Sequence, residues 1–109
     1  MAIDRSQLLK GTLDVALLAL LGAGPNYGQG LFNALVELGL PGVADASVYG
    51  ALRRLHLEGF FTADLVASNE GPTRKYYQLN RAGARARIDS LRAWNDLAAA
   101  MGRITKDQV

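Results

Sequence analysis

Residues Ala46 to Glu58 are the stretch that most restricts what this chain can become. Apolar side chains recur at Val48, Ala51, Leu52 and Leu55, spacings of three and four that give a helix one side to bury. Ser47, Gly50, Arg53 and Arg54 fall on the other side, with Tyr49 near its edge. Gly59 closes the helix. Two β-prone runs follow, Phe60 to Val66 and Arg74 to Leu79, around the polar Asn/Gly/Pro stretch Ala67 to Thr73, and these read as a hairpin. Burying one side of this helix while supporting a hairpin directly behind it confines the chain to a mainly α fold with a small β element.

The segments before it supply the helices. Leu8 to Leu21 reads as a first helix with Ser6 as a cap and Gly22 as its end. Leu13, Leu17, Leu20 and Leu21 are expected to face the domain's own core, while Val15, Leu18 and Ala19 lie on other faces that need a second cover. Gly24-Pro25-Asn26 is a turn, after which Asn26 is expected to cap a second helix with Gln29 reaching back as in a capping box. That helix runs to about Leu38 on a stripe of Leu31, Leu35 and Leu38, and Gly39 and Pro41 stop it. Gly28 and Gly30 cost helix stability and imply close contact with a neighbouring element, and Tyr27 is read as a half-buried ring at the same junction. Asp45 is the available cap for the helix at Ala46. Helix, tight connection, helix, a few residues and a further helix make a helix-turn-helix-like unit, and a hairpin placed behind such a unit is a wing.

Behind the hairpin, Asn80 caps a last helix from about Arg81 to Gly102. Ile88, Leu91, Trp94, Leu97, Ala98, Met101 and Ile104 form its apolar stripe, opposite Arg85, Asp89, Arg92, Asp96 and Arg103. The pairs Arg85–Asp89 and Arg92–Asp96 describe a solvated face. So long a stripe exceeds what a small domain can cover, so it is expected to pack on its symmetry mate and on the spare side of the first helix, with Leu18, Ile88, Leu91, Trp94, Leu97, Ala98 and Met101 at a two-fold interface.

Composition narrows the chemistry. At 109 residues the chain is one unit, half hydrophobic and one-fifth charged, as expected for a folded protein. It has no cysteine, which excludes disulfides, zinc–thiolate sites and thiol catalysis. Its most apolar run, Val15 to Leu21, is far shorter than the roughly 20 residues of a membrane span, and the first residues carry no export signal, so a cytoplasmic location away from membranes is expected. The single histidine, His56, has no cysteine or carboxylate cluster beside it, and no catalytic triad, paired-carboxylate or phosphate-cradling pattern is assembled, so neither an enzyme nor a metal or cofactor site is expected. The formal net charge is only +2, but of the twelve Lys and Arg residues only Arg5 and Lys10 precede Arg53. That asymmetry places positive charge along the second half of the chain.

On these residues alone, the outer side of the helix from Ala46 is a surface that a phosphate backbone or a base edge can meet, and equally an ordinary solvated basic face. Arg74 and Tyr76 share one face of the second strand while Tyr77 and Leu79 share the core face, so the base of the hairpin loop is basic and aromatic. Lys10 and Thr12, near the start of the first helix, are further candidates for phosphate.

Over nearly its full length the chain resembles the PadR family of bacterial transcriptional regulators. The matching segments are Leu9-Lys10-Gly11-Thr12-Leu13, Gly24-Pro25-Asn26-Tyr27-Gly28, Ser47-Val48-Tyr49 with Leu52 and Arg54-Leu55, Glu58-Gly59, and Gly71-Pro72-Thr73-Arg74-Lys75-Tyr76-Tyr77-Gln78-Leu79 followed by Ala82-Gly83. The resemblance implies a dimeric winged helix-turn-helix protein, with residues 1–79 as the DNA-binding part and residues 80–109 as a C-terminal dimerisation helix and tail, in one compact unit. It implies a ligand-responsive repressor that binds a pseudo-palindromic operator on double-stranded DNA as a homodimer. Carried over position by position, Ser47, Tyr49 and Arg53 lie in or near the groove, Arg74 and Lys75 on wing-side phosphates, with Tyr76 beside them, and Arg54 on a phosphate or in a salt bridge. Trp94, with Leu91 and Val15, would flank a pocket for a flat hydrophobic or aromatic effector; plain core packing of Trp94 is the other reading. Gly50, Arg53, His56 and Leu57 depart from the family's usual residues, so the operator sequence does not transfer from relatives. The rival to DNA binding is a winged-helix protein-interaction module whose basic face is not used on DNA.

Overall fold

The computed structural model describes residues 8, 9, 11–40 and 42–108; Ser6, Lys10 and Pro41, named above as cap, phosphate contact and helix stop, lie outside them. In chain order the elements are α1 (Thr12–Leu21), β1 (Asn26–Tyr27), α2 (Gly28–Glu37), α3 (Asp45–Leu57), β2 (Phe61–Ser68), β3 (Gly71–Leu79) and α4 (Arg81–Thr105). The strands form one antiparallel sheet in the order β1-β3-β2. The architecture is the expected mainly α winged helix, with one strand more than the hairpin alone.

The core is where α1, α2 and α3 meet. Leu17 of α1, Leu31 and Leu35 of α2, and Val48 and Leu52 of α3 are fully buried, and Phe61 and Tyr77 close the cluster from the sheet. Burying a side chain of this size contributes about 1.5–3 kcal/mol, so these few positions supply much of the force that holds the three helices together. The four apolar positions read from α3, Val48, Ala51, Leu52 and Leu55, are all buried. Gly59 takes φ +91°, a left-handed conformation that lets Phe60 donate back to the Leu55 carbonyl at 3.2 Å and turns the chain into β2.

Several expectations are corrected. Asn26 does not cap α2: its Oδ1 accepts from the adjacent Tyr27 amide at 2.8 Å, and the two residues form β1 opposite Tyr77 and Tyr76. The Tyr27 and Tyr76 rings lie 5.2 Å apart, and this cross-strand pair keeps the chain extended one turn longer than a capping box would allow. Gln29 accordingly reaches forward to Asn33, 2.9 Å away, instead of back. Asp45 is the first helical residue of α3 and not its cap, with its carboxylate accepting from Ala46 N–H at 2.8 Å. Leu38 lies beyond the end of α2 and is 73% exposed, because the turn at Gly39 lifts it off the stripe. Leu18, assigned to the dimer interface, is only 4% exposed within this chain and already belongs to its core, so it has almost no surface left to offer a partner.

Two glycines act by letting neighbours approach. A side chain at Gly28 would collide with the Tyr49 ring, which packs onto the first turn of α2. A side chain at Gly83 would collide with the Phe60 carbonyl, where α4 crosses the start of β2. Asn80 fastens that crossing: its Oδ1 accepts from Gly83 N–H and its Nδ2 donates to the Gly59 carbonyl, both at 2.8 Å. From there α4 runs 25 residues, about 37 Å, along α1 and then past it, which accounts for much of the 52 Å long axis of the molecule.

Candidate nucleic-acid interface and apolar cavity

The outer side of α3 carries Ser47, Tyr49, Gly50, Arg53 and Arg54, all exposed. Tyr49 is held by its contact with Gly28, so α2 and α3 fix the ring jointly. Between this ring and the wing lies a groove of about 480 Å³, lined by Tyr27, Gly28, Gln29, Tyr49, Pro72, Arg74, Lys75 and Tyr77. Its basic side chains lean on aromatic faces: the Arg74 guanidinium is 4.5 Å from the centre of the Tyr27 ring, and the Lys75 ammonium is 5.5 Å from that of Tyr77. Cation–π contact of this kind restrains the cationic heads without consuming their hydrogen-bond donors, which remain free for an acidic partner. Tyr76 is half-buried against Tyr27 and does not line the groove. His56 stands edge-on to Tyr77 at 6.1 Å, a packing contact at the foot of the wing.

The two arginines of α3 are placed differently. Arg54 donates from both terminal nitrogens to Asp14 of α1, at 2.6 and 2.8 Å, and lies 4.0 Å from Glu58. The hydrogen bonds and charge of Asp14 hold its guanidinium above its already high pKa. Arg53 is exposed and makes no ion pair among the described residues.

On the other side of α1, Val15, Leu91 and Trp94 come together as expected. With Leu8, Leu9, Thr12, Ala16, Ala19 and Leu40 they line an apolar cavity of about 370 Å³. The Thr12 hydroxyl donates to the Leu9 carbonyl at 2.8 Å, so the polar side chain in the wall already uses its proton. Along α4, Ile88, Trp94, Leu97, Met101 and Ile104 remain 40–66% exposed, and Ala98 is exposed with them. Leu91, facing the cavity, is half-buried. Sequence reasoning did not single out Asp14, nor Gln29 and Pro72 in the groove, nor Leu40 in the cavity. Only the i,i+4 pair Val15 and Ala19 carried a signal for the cavity wall. Among the described residues no group of three or more His, Cys, Asp or Glu side chains is placed to hold a metal ion, and no helix is long and apolar enough to cross a membrane.

This arrangement is shared with solved structures. A PadR-like transcriptional regulator from Bacillus cereus superposes with a TM-score of 0.81 at 28% identity, covering 92% of this chain and 97% of that one. A Streptococcus transcriptional regulator gives 0.80 at 30% identity, over 92% and 98% of the two chains. A PadR family regulator from Eggerthella lenta gives 0.78 at 27% identity, over 93% and 88%. No curated protein matches the sequence. The sequence pattern of the transcriptional regulator PadR-like family matches residues 17–88, which run from the core of α1 through the wing into α4. The chain belongs to the PadR-like family. This PadR-like protein is therefore a DNA-binding transcriptional regulator and not an enzyme. Within it, α3 holds the recognition-helix position and β2–β3 form the wing.

Proposed function

We propose that this PadR-like regulator acts in the cytoplasm as a homodimeric repressor that binds a pseudo-palindromic operator and is released by a flat hydrophobic effector. The observation that carries DNA reading is the convergence of the exposed Arg53 on α3 with Arg74 and Lys75 across the groove of the wing. In this reading α3 enters the major groove, Ser47, Tyr49 and Arg53 meet base edges, and Arg74 and Lys75 meet phosphates of the adjacent backbone. Residues 1–79 carry DNA recognition and residues 80–109 carry dimerisation. The exposed stripe Ile88, Trp94, Leu97, Ala98 and Met101 supports the second copy, since paired amphipathic helices bury such a stripe in both chains at once.

A salt-dependent gel shift on the DNA upstream of the protein's own gene tests the DNA reading. A retarded complex that outcompetes random duplex supports it, and binding with no preference above random duplex favours a protein-interaction module. For the effector, the cavity at Val15, Leu91 and Trp94 is apolar and opens beside the stripe, which supports a planar aromatic guest. Trp94 fluorescence titrated with a panel of planar aromatics is expected to quench; no quenching across the panel removes the pocket from the account.

A further inference from the structure

The ion pair between Arg54 and Asp14 has no part in the function proposed above. It joins α3 to α1 across 40 positions of sequence, with both oxygens of one carboxylate accepting from both terminal nitrogens of one guanidinium at 2.6 and 2.8 Å. Among the described residues no other ion pair joins two elements; the remaining one, Arg54 with Glu58, is confined to the end of α3. The Arg54 and Asp14 side chains are 52% and 28% exposed, so water screens the pair and its contribution to stability is small. Its geometry matters more. The rest of the α1–α3 contact is apolar packing of Leu17, Leu18 and Leu21 against side chains such as Leu52 and Leu55, and hydrophobic attraction is not directional. A planar fork on a carboxylate fixes distance and orientation together, and neither lysine nor a neutral amide reproduces it.

We propose that Arg54, clamped by Asp14, is a positioning residue that sets the angle at which α3 presents Ser47, Tyr49 and Arg53 to base edges, and that it makes no DNA contact of its own. The inference rests on the DNA-binding reading above. It also opposes what charge alone predicts. Asp14 brings a negative charge next to the DNA-binding helix, so electrostatics says that neutralising it strengthens binding, whereas loss of the clamp weakens specific binding.

The test uses the full chain, as wild type and as the variants D14N, R54K and R54Q, with fluorescence anisotropy on own-promoter duplex and on random duplex at several salt concentrations. D14N and R54K are each expected to weaken promoter binding about fivefold or more, as for groups coupled through direct contact. Random-duplex affinity is expected to stay within about twofold of wild type, and the salt slope of all variants to stay at the wild-type value, because no phosphate contact is lost. Three results overturn the proposal: D14N binding the promoter as tightly as wild type or tighter; R54Q lowering the salt slope by about 0.9, the mark of one lost phosphate contact; or a lowered melting temperature with an unchanged promoter-to-random ratio, which is a structural role only. The wild type is read first. If it shows no preference for the promoter, the DNA-binding reading itself fails and this inference falls with it.

Discussion

α3 and α4 are both amphipathic helices, yet they end up in opposite states. The apolar side of α3 is finished within the chain: Val48 and Leu52 are 0% exposed and Leu55 2%. α4 buries only Gly83 and leaves Leu97, Met101 and Ile104 about half in water or more. The same residue pattern therefore has two meanings, set by what lies opposite. α3 faces α1 and α2, which close over it, whereas α4 outruns α1 and faces nothing from its own chain for much of its length. One helix records how a protomer folds, the other how it is completed by a second copy.

Four substitutions separate these roles, in falling order of effect. Leu52→Ala empties a fully buried site in the three-helix core and is expected to lower unfolding free energy by about 3 kcal/mol in chemical denaturation, whatever the protein concentration. Leu97→Glu together with Met101→Glu puts charge into the open stripe. This pair is expected to leave the protomer folded, shift sedimentation from dimer to monomer, and reduce promoter affinity about a hundredfold by removing the second half-site contact. A monomeric wild type, or a dimeric double variant, breaks the contrast between the helices. Asn80→Ala removes the cap of α4 and its bond to the Gly59 carbonyl, at an expected cost of about 1–2 kcal/mol in thermal or chemical unfolding. Asp89→Asn lies on the solvated side of α4, where Arg85 and Asp89 make no ion pair within 4.0 Å among the described residues. It is expected to change stability by less than about 0.5 kcal/mol.

What sequence alone makes legible follows from how local each feature is. α3 was placed within a residue at each end because its spacing and the glycine behind it are local signals. The wing and the Asn80 cap were legible for the same reason. β1 was missed because two residues become a strand only through Tyr76 and Tyr77, some fifty positions later, and the local Asn-x-x-Gln pattern pointed to a cap instead. Leu18 was misplaced because α1 is apolar on several faces, so its periodicity has no clear phase and only the packing of α2 and α3 decides which faces are inside. In the candidate site, Arg53 and Arg54 are adjacent and chemically identical; only Asp14, 40 positions earlier, distinguishes them. The cavity was half legible: Val15, Leu91 and Trp94 do meet, while Leu40 arrives from the far end of α2.

The most direct test of a two-fold regulator with α3 as its reading helix is a protection footprint on the DNA upstream of its own gene. The account predicts two protected half-sites related by inverted symmetry, with centres about 10 base pairs or a multiple of one helical turn apart. A single unpaired protected patch, or uniform protection with no sequence preference, would contradict it.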